Sequence, residues 1–132
     1  MANRVQDWLR QAERDLEVAR TTRDAGQFDW ACFAAQQSAE KALKALYERH
    51  RAEGWGHVLR RLVEGIADLE SGVLSLLDRA KILDKYYIPT RYPNGLDAGA
   101  PADAYILDEA KEAISHAEEI LRFCKARCAT PG

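Results

Sequence analysis

The chain has 132 residues, 19 of them basic and 21 acidic, for a net charge of −2, and 47% are hydrophobic. This length fits a single domain able to bury its own core, and the apolar share excludes a disordered chain. The balance of charge gives no sign of the broad basic face that nonspecific nucleic-acid binding needs, so only local basic clusters remain candidates. No apolar run approaches the roughly 18 residues of a membrane span. Met1-Ala2-Asn3-Arg4 leads straight into an amphipathic pattern, so neither a membrane anchor nor a signal peptide is read, and a cytoplasmic protein is expected. Cys32, Cys124 and Cys128 make no even disulfide framework. Cys124 and Cys128 lie four apart, but no further His or Cys completes a tetrahedral site, and neither metal nor cofactor is expected.

Helical periodicity runs almost throughout with no strand alternation, which predicts an all-α, up-and-down bundle of four to five helices. The first helix starts at an Asn3 cap, carries Val5, Trp8, Leu9, Ala12, Leu16 and Ala19 on one stripe, and ends at Gly26. The second runs from about Phe28 to His50. Its core arc is Phe28, Ala31, Cys32, Ala35, Ala39, Ala42, Leu43 and Leu46, and the opposite, polar arc is Gln36, Gln37, Glu40, Lys41, Lys44 and Tyr47. After Gly54 and Gly56 a third helix holds Val58, Leu59, Leu62, Val63, Ile66 and Leu69. Ser71-Gly72 then turns into a fourth with Leu76, Leu77, Ala80 and Leu83, reaching toward Tyr87 and stopping before Pro89. The loop 88–102, with three prolines and two glycines, is long for a small domain and is therefore a functional candidate. Asp103 is the expected cap of the last helix, whose stripe is Ile106, Ala110, Ala113, Ile114, Ala117, Ile120, Leu121 and Cys124. One domain spans 1–128, and the tail 129–132 is expected to fray.

Chemistry concentrates in two stretches. Tyr86-Tyr87-Ile88-Pro89-Thr90-Arg91-Tyr92-Pro93-Asn94 sets rings around one arginine, a combination that stacks on bases and grips phosphates or carboxylates. On the second helix, Glu40 and Lys44 have the spacing of a surface ion pair, while Glu40, Lys41 and Lys44 would line a polar cleft if the arginine loop lay beside them. His57, after Gly54-Trp55-Gly56, is either a packing residue or an acid–base group suited to neutral pH. His50 and His116 have weaker claims, His116 being expected on a face turned to solvent or to a partner.

Three runs together resemble the HEPN family of small helical domains. They are Ala34-Ala35-Gln36-Gln37-Ser38-Ala39-Glu40-Lys41-Ala42-Leu43-Lys44-Ala45-Leu46, then His57-Val58-Leu59, then Tyr86 or Tyr87 followed by Arg91-Tyr92-Pro93. The resemblance covers nearly the whole chain and implies a helical homodimer, covering some of Trp8, Trp30 and Phe33. It also implies pairing with a minimal nucleotidyltransferase in a two-gene, toxin–antitoxin-like system. In that setting the chain is a module binding a nucleotide, RNA or the transferase itself, through Glu40, Lys41, Lys44, His57, Tyr86, Tyr87, Arg91 and Tyr92. Tyr86, Tyr87 and Tyr92 are then candidates for nucleotide attachment.

Catalytic members of the family carry an arginine, four to six residues and a histidine, and cut RNA without metal. After Arg91 the histidine positions hold Leu96, Asp97 and Ala98, so that motif is absent there. Arg51 and His57 have the spacing but fall between the second and third helices. The alternatives are a metal-independent endoribonuclease toxin with a displaced Arg91/His57 site and a ligand-free interaction scaffold.

Overall fold

The computed structural model describes residues 3–129, so residues 130–132 of the tail expected to fray lie outside the described residues. The described residues contain six α-helices and no strand: α1 (Val5–Asp24), α2 (Phe28–Arg49), α3 (Leu59–Gly65), α4 (Leu77–Asp84), α5 (Pro101–Ala104) and α6 (Leu107–Cys128). Three long helices, α1, α2 and α6, make the body, with α2 packed between the other two and α3 and α4 closing a further side. The first helix buries Val5, Leu9, Ala12, Leu16 and Ala19, as its stripe predicts, and the Asn3 side chain accepts from the Val5 amide at 2.9 Å.

Because α2 is central, its supposed polar arc is largely interior. Gln36, Glu40 and Tyr47 are buried alongside its alanines. The small residues let neighbouring helices come close, and each buried polar group has a partner, which keeps its burial from being costly. Ser38 donates to the Ala12 carbonyl at 2.7 Å, Gln36 to the His57 carbonyl at 3.2 Å, and Tyr47 to the Leu62 carbonyl at 2.6 Å. Tyr47 also explains two glycines. A Cβ on Gly65 would meet its hydroxyl at 2.5 Å, and one on Gly54 would meet its ring at 3.0 Å.

The short elements differ from the sequence expectation at their ends. The third helix stops at Gly65, and Leu69 and Val58 lie on the surface. A 3-10 turn over Val73–Leu76 precedes α4, which ends at Asp84, so Tyr86 and Tyr87 belong to the following turns. Asp84 supplies the cap α3 lacks locally: its two carboxylate oxygens accept the Leu59 and Arg60 amides at 2.7 and 3.0 Å. Asp103 does not cap the last helix, because Pro101 starts a separate single turn that contains it. That role falls to Glu109, whose carboxylate accepts the Ile106 amide at 3.0 Å, and Ile106 itself is exposed.

Candidate functional site

The tyrosine–arginine segment meets α2 at Phe33, just before the 34–46 run, and reaches Glu40 of that run through His57. Arg91 lies with its guanidinium carbon 4.4 Å from the Phe33 ring centre, 4.5 Å from that of Tyr87 and 5.2 Å from that of Tyr92. Its Nε donates to the Tyr87 carbonyl at 2.9 Å, which fixes the fork and leaves the terminal nitrogens as its remaining donors. Among the described residues Arg91 joins no ion pair. The loop beneath is anchored by buried Thr90, whose hydroxyl donates to the Tyr86 carbonyl at 2.5 Å. Gly95 packs so closely on Pro89 that an added Cβ would come within 2.9 Å of its Cα.

His57 stacks on Tyr87, ring centres 5.0 Å apart and planes 17° from parallel. Its Nδ1 lies 3.0 Å from both carboxylate oxygens of Glu40. An ionised carboxylate only accepts, so Nδ1 carries the proton and Nε2 becomes the free end of a ring whose side chain is 54% exposed. From the Tyr87 ring centre, Arg91 Cζ is 4.5 Å away and the imidazole 5.0 Å, so the two lie within 9.5 Å of each other. That separation leaves room for one substrate to place its phosphate on the guanidinium and a hydroxyl at the imidazole.

Glu40 is held by more than histidine. Lys44 reaches it at 3.2 Å and Gln37 at 3.4 Å, and the Lys44 ammonium also stands 5.8 Å from the Trp8 ring centre. The Glu40–Lys44 pair is thus not the solvated surface pair its spacing suggests, for the glutamate side chain is only 5% exposed. Lys41 is absent from this assembly and pairs with Asp15 of α1. Each residue turns a helix by about 100°, so Lys41 faces a different neighbour from Glu40, whereas Lys44, four on, returns to the same side. Tyr86 likewise diverges from Tyr87. It meets Tyr105 edge to face at 5.9 Å, and burial, aided by nearby acidic groups, pushes its hydroxyl well above the ordinary tyrosine value.

Phe33 and Gln37 belong to the site, Trp30 adjoins it through Phe33, and all three stood outside its sequence-based reading. Their signal was the spacing Trp30, Phe33, Gln37, Glu40, Lys44, alternating three and four residues, which is one face of a helix. The other two histidines have local partners: His50 lies 2.7 Å from Glu70, and the largely covered His116 lies between Arg79 and Glu112. Arg51 occupies a left-handed turn position at φ 55°. Among the described residues no group of three or more His, Cys, Asp or Glu side chains is placed to hold a metal ion. No helix there is long and apolar enough to cross a membrane.

Residues 5–127 match the HEPN domain. The chain belongs to the HEPN domain family. A solved HEPN homologue from an archaeon, ST0689, is 40% identical with a TM-score of 0.81, the alignment covering 96% of this chain and 99% of that one. TT1696 from Thermus thermophilus is 45% identical with a TM-score of 0.86, covering 95% and 98% of the two chains. A Methanocaldococcus jannaschii protein named "Putative toxin MJ1304" is 26% identical over 130 residues, covering 89% of this HEPN chain and 84% of its own length.

Proposed function

We propose that this HEPN protein is a toxin-like module that binds the phosphate of a nucleotide or RNA on the Arg91–Tyr87–His57 face. The observation that carries this reading is Arg91 itself. A cation clamped on three aromatic rings, hydrogen-bonded through Nε and without a counter-charge among the described residues, is preorganised for an external anion. His57, with Nδ1–H held by Glu40, presents Nε2 as an acceptor for a ligand hydroxyl, and Lys44 stands on the same glutamate. Exposed Ile88 and Tyr92, next in the chain to Tyr87 and Arg91, suit coverage by a second copy of the chain, the homodimer the family resemblance implies. The toxin name of the archaeal relative supports the toxin-like role, and the family resemblance adds a minimal nucleotidyltransferase as the partner in a two-component setting. For nucleotide attachment to a tyrosine, Tyr92, half-exposed, and Tyr87, under Arg91, fit better than Tyr86, packed on Tyr105. Calorimetric titration with 5′-phosphorylated ribonucleotides tests the reading: wild type binds and Arg91→Ala binds at least tenfold more weakly, while equal binding by both rejects it.

A second reading, metal-independent RNA cleavage, is favoured by one specific geometry, the Glu40 carboxylate orienting His57 with Arg91 within 9.5 Å. The imidazole would move the proton of the attacking 2′-hydroxyl or of the leaving oxygen, and the guanidinium would stabilise phosphate charge. Cutting of mixed RNA in EDTA that His57→Ala and Arg91→Ala both abolish, with oligomeric state unchanged, would establish this activity. RNA left intact by wild type would restrict the site to binding.

A further inference from the structure

Beside Phe33, α1 and α2 border an open groove of about 430 Å³, lined by Asp15, Val18, Thr22, Trp30, Phe33, Gln37 and Lys41 among others. That volume is within the usual range for a small-molecule site. Trp30 is 49% exposed, an uncommon position for so large a ring unless something covers it, and it meets Phe33 edge to face at 6.1 Å. We propose that this groove is a base-binding subsite, taking the nucleobase of a nucleoside 5′-phosphate whose phosphate sits on Arg91. The inference rests on the phosphate role assigned above and names the ligand class of that same site.

Two residues make groove and phosphate site continuous. Phe33 lines the groove while its ring carries Arg91, and Gln37 lines it while its amide reaches Gln36 at 2.8 Å and Glu40 at 3.4 Å. Measured from the Phe33 ring centre, Trp30 lies 6.1 Å away and the guanidinium carbon 4.4 Å, so no more than 10.5 Å separates them. One nucleotide bridges such a gap, its base against the first and its phosphate on the second.

The chemistry of the lining selects a flat, hydrogen-bonding ring over an aliphatic chain. Trp30, Phe33 and Val18 offer apolar faces, but Asp15 and Lys41 pair on the same walls, with Gln11 donating to the other Asp15 oxygen at 3.0 Å. An aliphatic occupant would strip water from these groups and return no hydrogen bond. The Thr22 hydroxyl already donates to the Val18 and Ala19 carbonyls at 2.7 and 3.2 Å, and the Gln37 amide nitrogen is engaged as described. Both side chains therefore have an oxygen left to accept, which matches the exocyclic amino group of adenine.

The test is calorimetric titration of the full chain with AMP and with ribose 5-phosphate, which lacks the base. Stacking of one base on an aromatic side chain is worth about 1–3 kcal/mol, so AMP is expected to bind about tenfold tighter. Trp30→Ala should lower AMP affinity to the ribose 5-phosphate level and leave ribose 5-phosphate unchanged, and Trp30→Phe should retain most of the difference. Arg91→Ala should weaken both ligands together. Equal affinity for AMP and ribose 5-phosphate, both still dependent on Arg91, would overturn the groove assignment and leave the phosphate site standing. A Trp30→Ala variant that loses both ligands equally would overturn it too, as the mark of a structural role. Binding of neither ligand would remove both readings. A 5′-phosphorylated adenylate trinucleotide competing with AMP at higher affinity identifies an RNA end as the source of the base, and weaker competition identifies a free nucleotide.

Discussion

Of the regions that bring together arginine, histidine and glutamate, those around Glu70 and Glu40 are built to opposite ends. Near the C-terminal ends of α2 and α6, Glu70, only 3% exposed, accepts from Arg49 at 2.8 Å, His50 at 2.7 Å and Arg127 at 3.2 Å, and Arg127 lies flat on Phe123 at 4.4 Å. Burial alone would raise the Glu70 carboxyl, yet hydrogen bonds from His50 and Arg127 and the charge of Arg49 hold it below its ordinary value. Every member faces inward onto one carboxylate. At the other region Glu40 engages His57 and Lys44 but not Arg91, which is held by aromatic rings and the Tyr87 carbonyl and, among the described residues, by no carboxylate. The first cluster spends its charges on the fold; the second leaves a fixed cation and an imidazole edge for something outside. The same residue types thus mean different things, and the presence of an internal counter-charge decides between them.

The comparison breaks most visibly at Glu70. Glu70→Ala strands two arginines around an emptied acceptor and should lower unfolding free energy by about 3 kcal/mol, as removal of one partner from a buried pair does. Urea denaturation checks this, and a loss under about 1 kcal/mol would mean that Glu70 does not organise its end of the bundle. Arg91→Ala should do the reverse. Its phosphate binding falls at least tenfold, while stability changes by less than about 1 kcal/mol, because half-exposed cation–π contacts are weak. A large stability loss with intact binding would make Arg91 a structural residue like Arg127.

The pH dependence sharpens the same contrast with a smaller effect. A carboxylate whose folded pKa is depressed contributes stability that is full above its unfolded value and fades as pH falls through the folded value. For Glu70 the ordinary value is 4.5 and the folded one lies below it. Urea midpoints of wild type and Glu70→Gln should therefore differ by a constant amount at neutral pH and converge below about pH 4.5. A gap that persists unchanged at low pH would show that the loss comes from packing instead of charge.

Much of this arrangement was legible in the sequence, and the misses have physical causes. The core stripes of α1 and α6 follow from periodicity, and the α2 run and the Arg91 segment stand out as chemistry. Periodicity does not say how many neighbours a helix has, so the burial of Gln36, Glu40 and Tyr47 needed the central position of α2. Partners distant in sequence were equally hidden. Asp84 caps α3 from 25 residues away, and Glu70 gathers Arg127 from 57 away, with nothing local to signal either. The separation of Lys41 from Lys44, by contrast, was available from helix geometry alone, and so was the stripe that adds Trp30, Phe33 and Gln37.

The most direct test of the open cation is nitrogen-15 NMR of arginine Nε and histidine Nε2 during titration with a 5′-phosphorylated ribonucleotide. Shifts at Arg91 and His57, with Arg127 and His50 unmoved, are expected of an open cation at Arg91. Shifts at Arg127 and His50, or at none of the four, would show that Arg91 is not that cation.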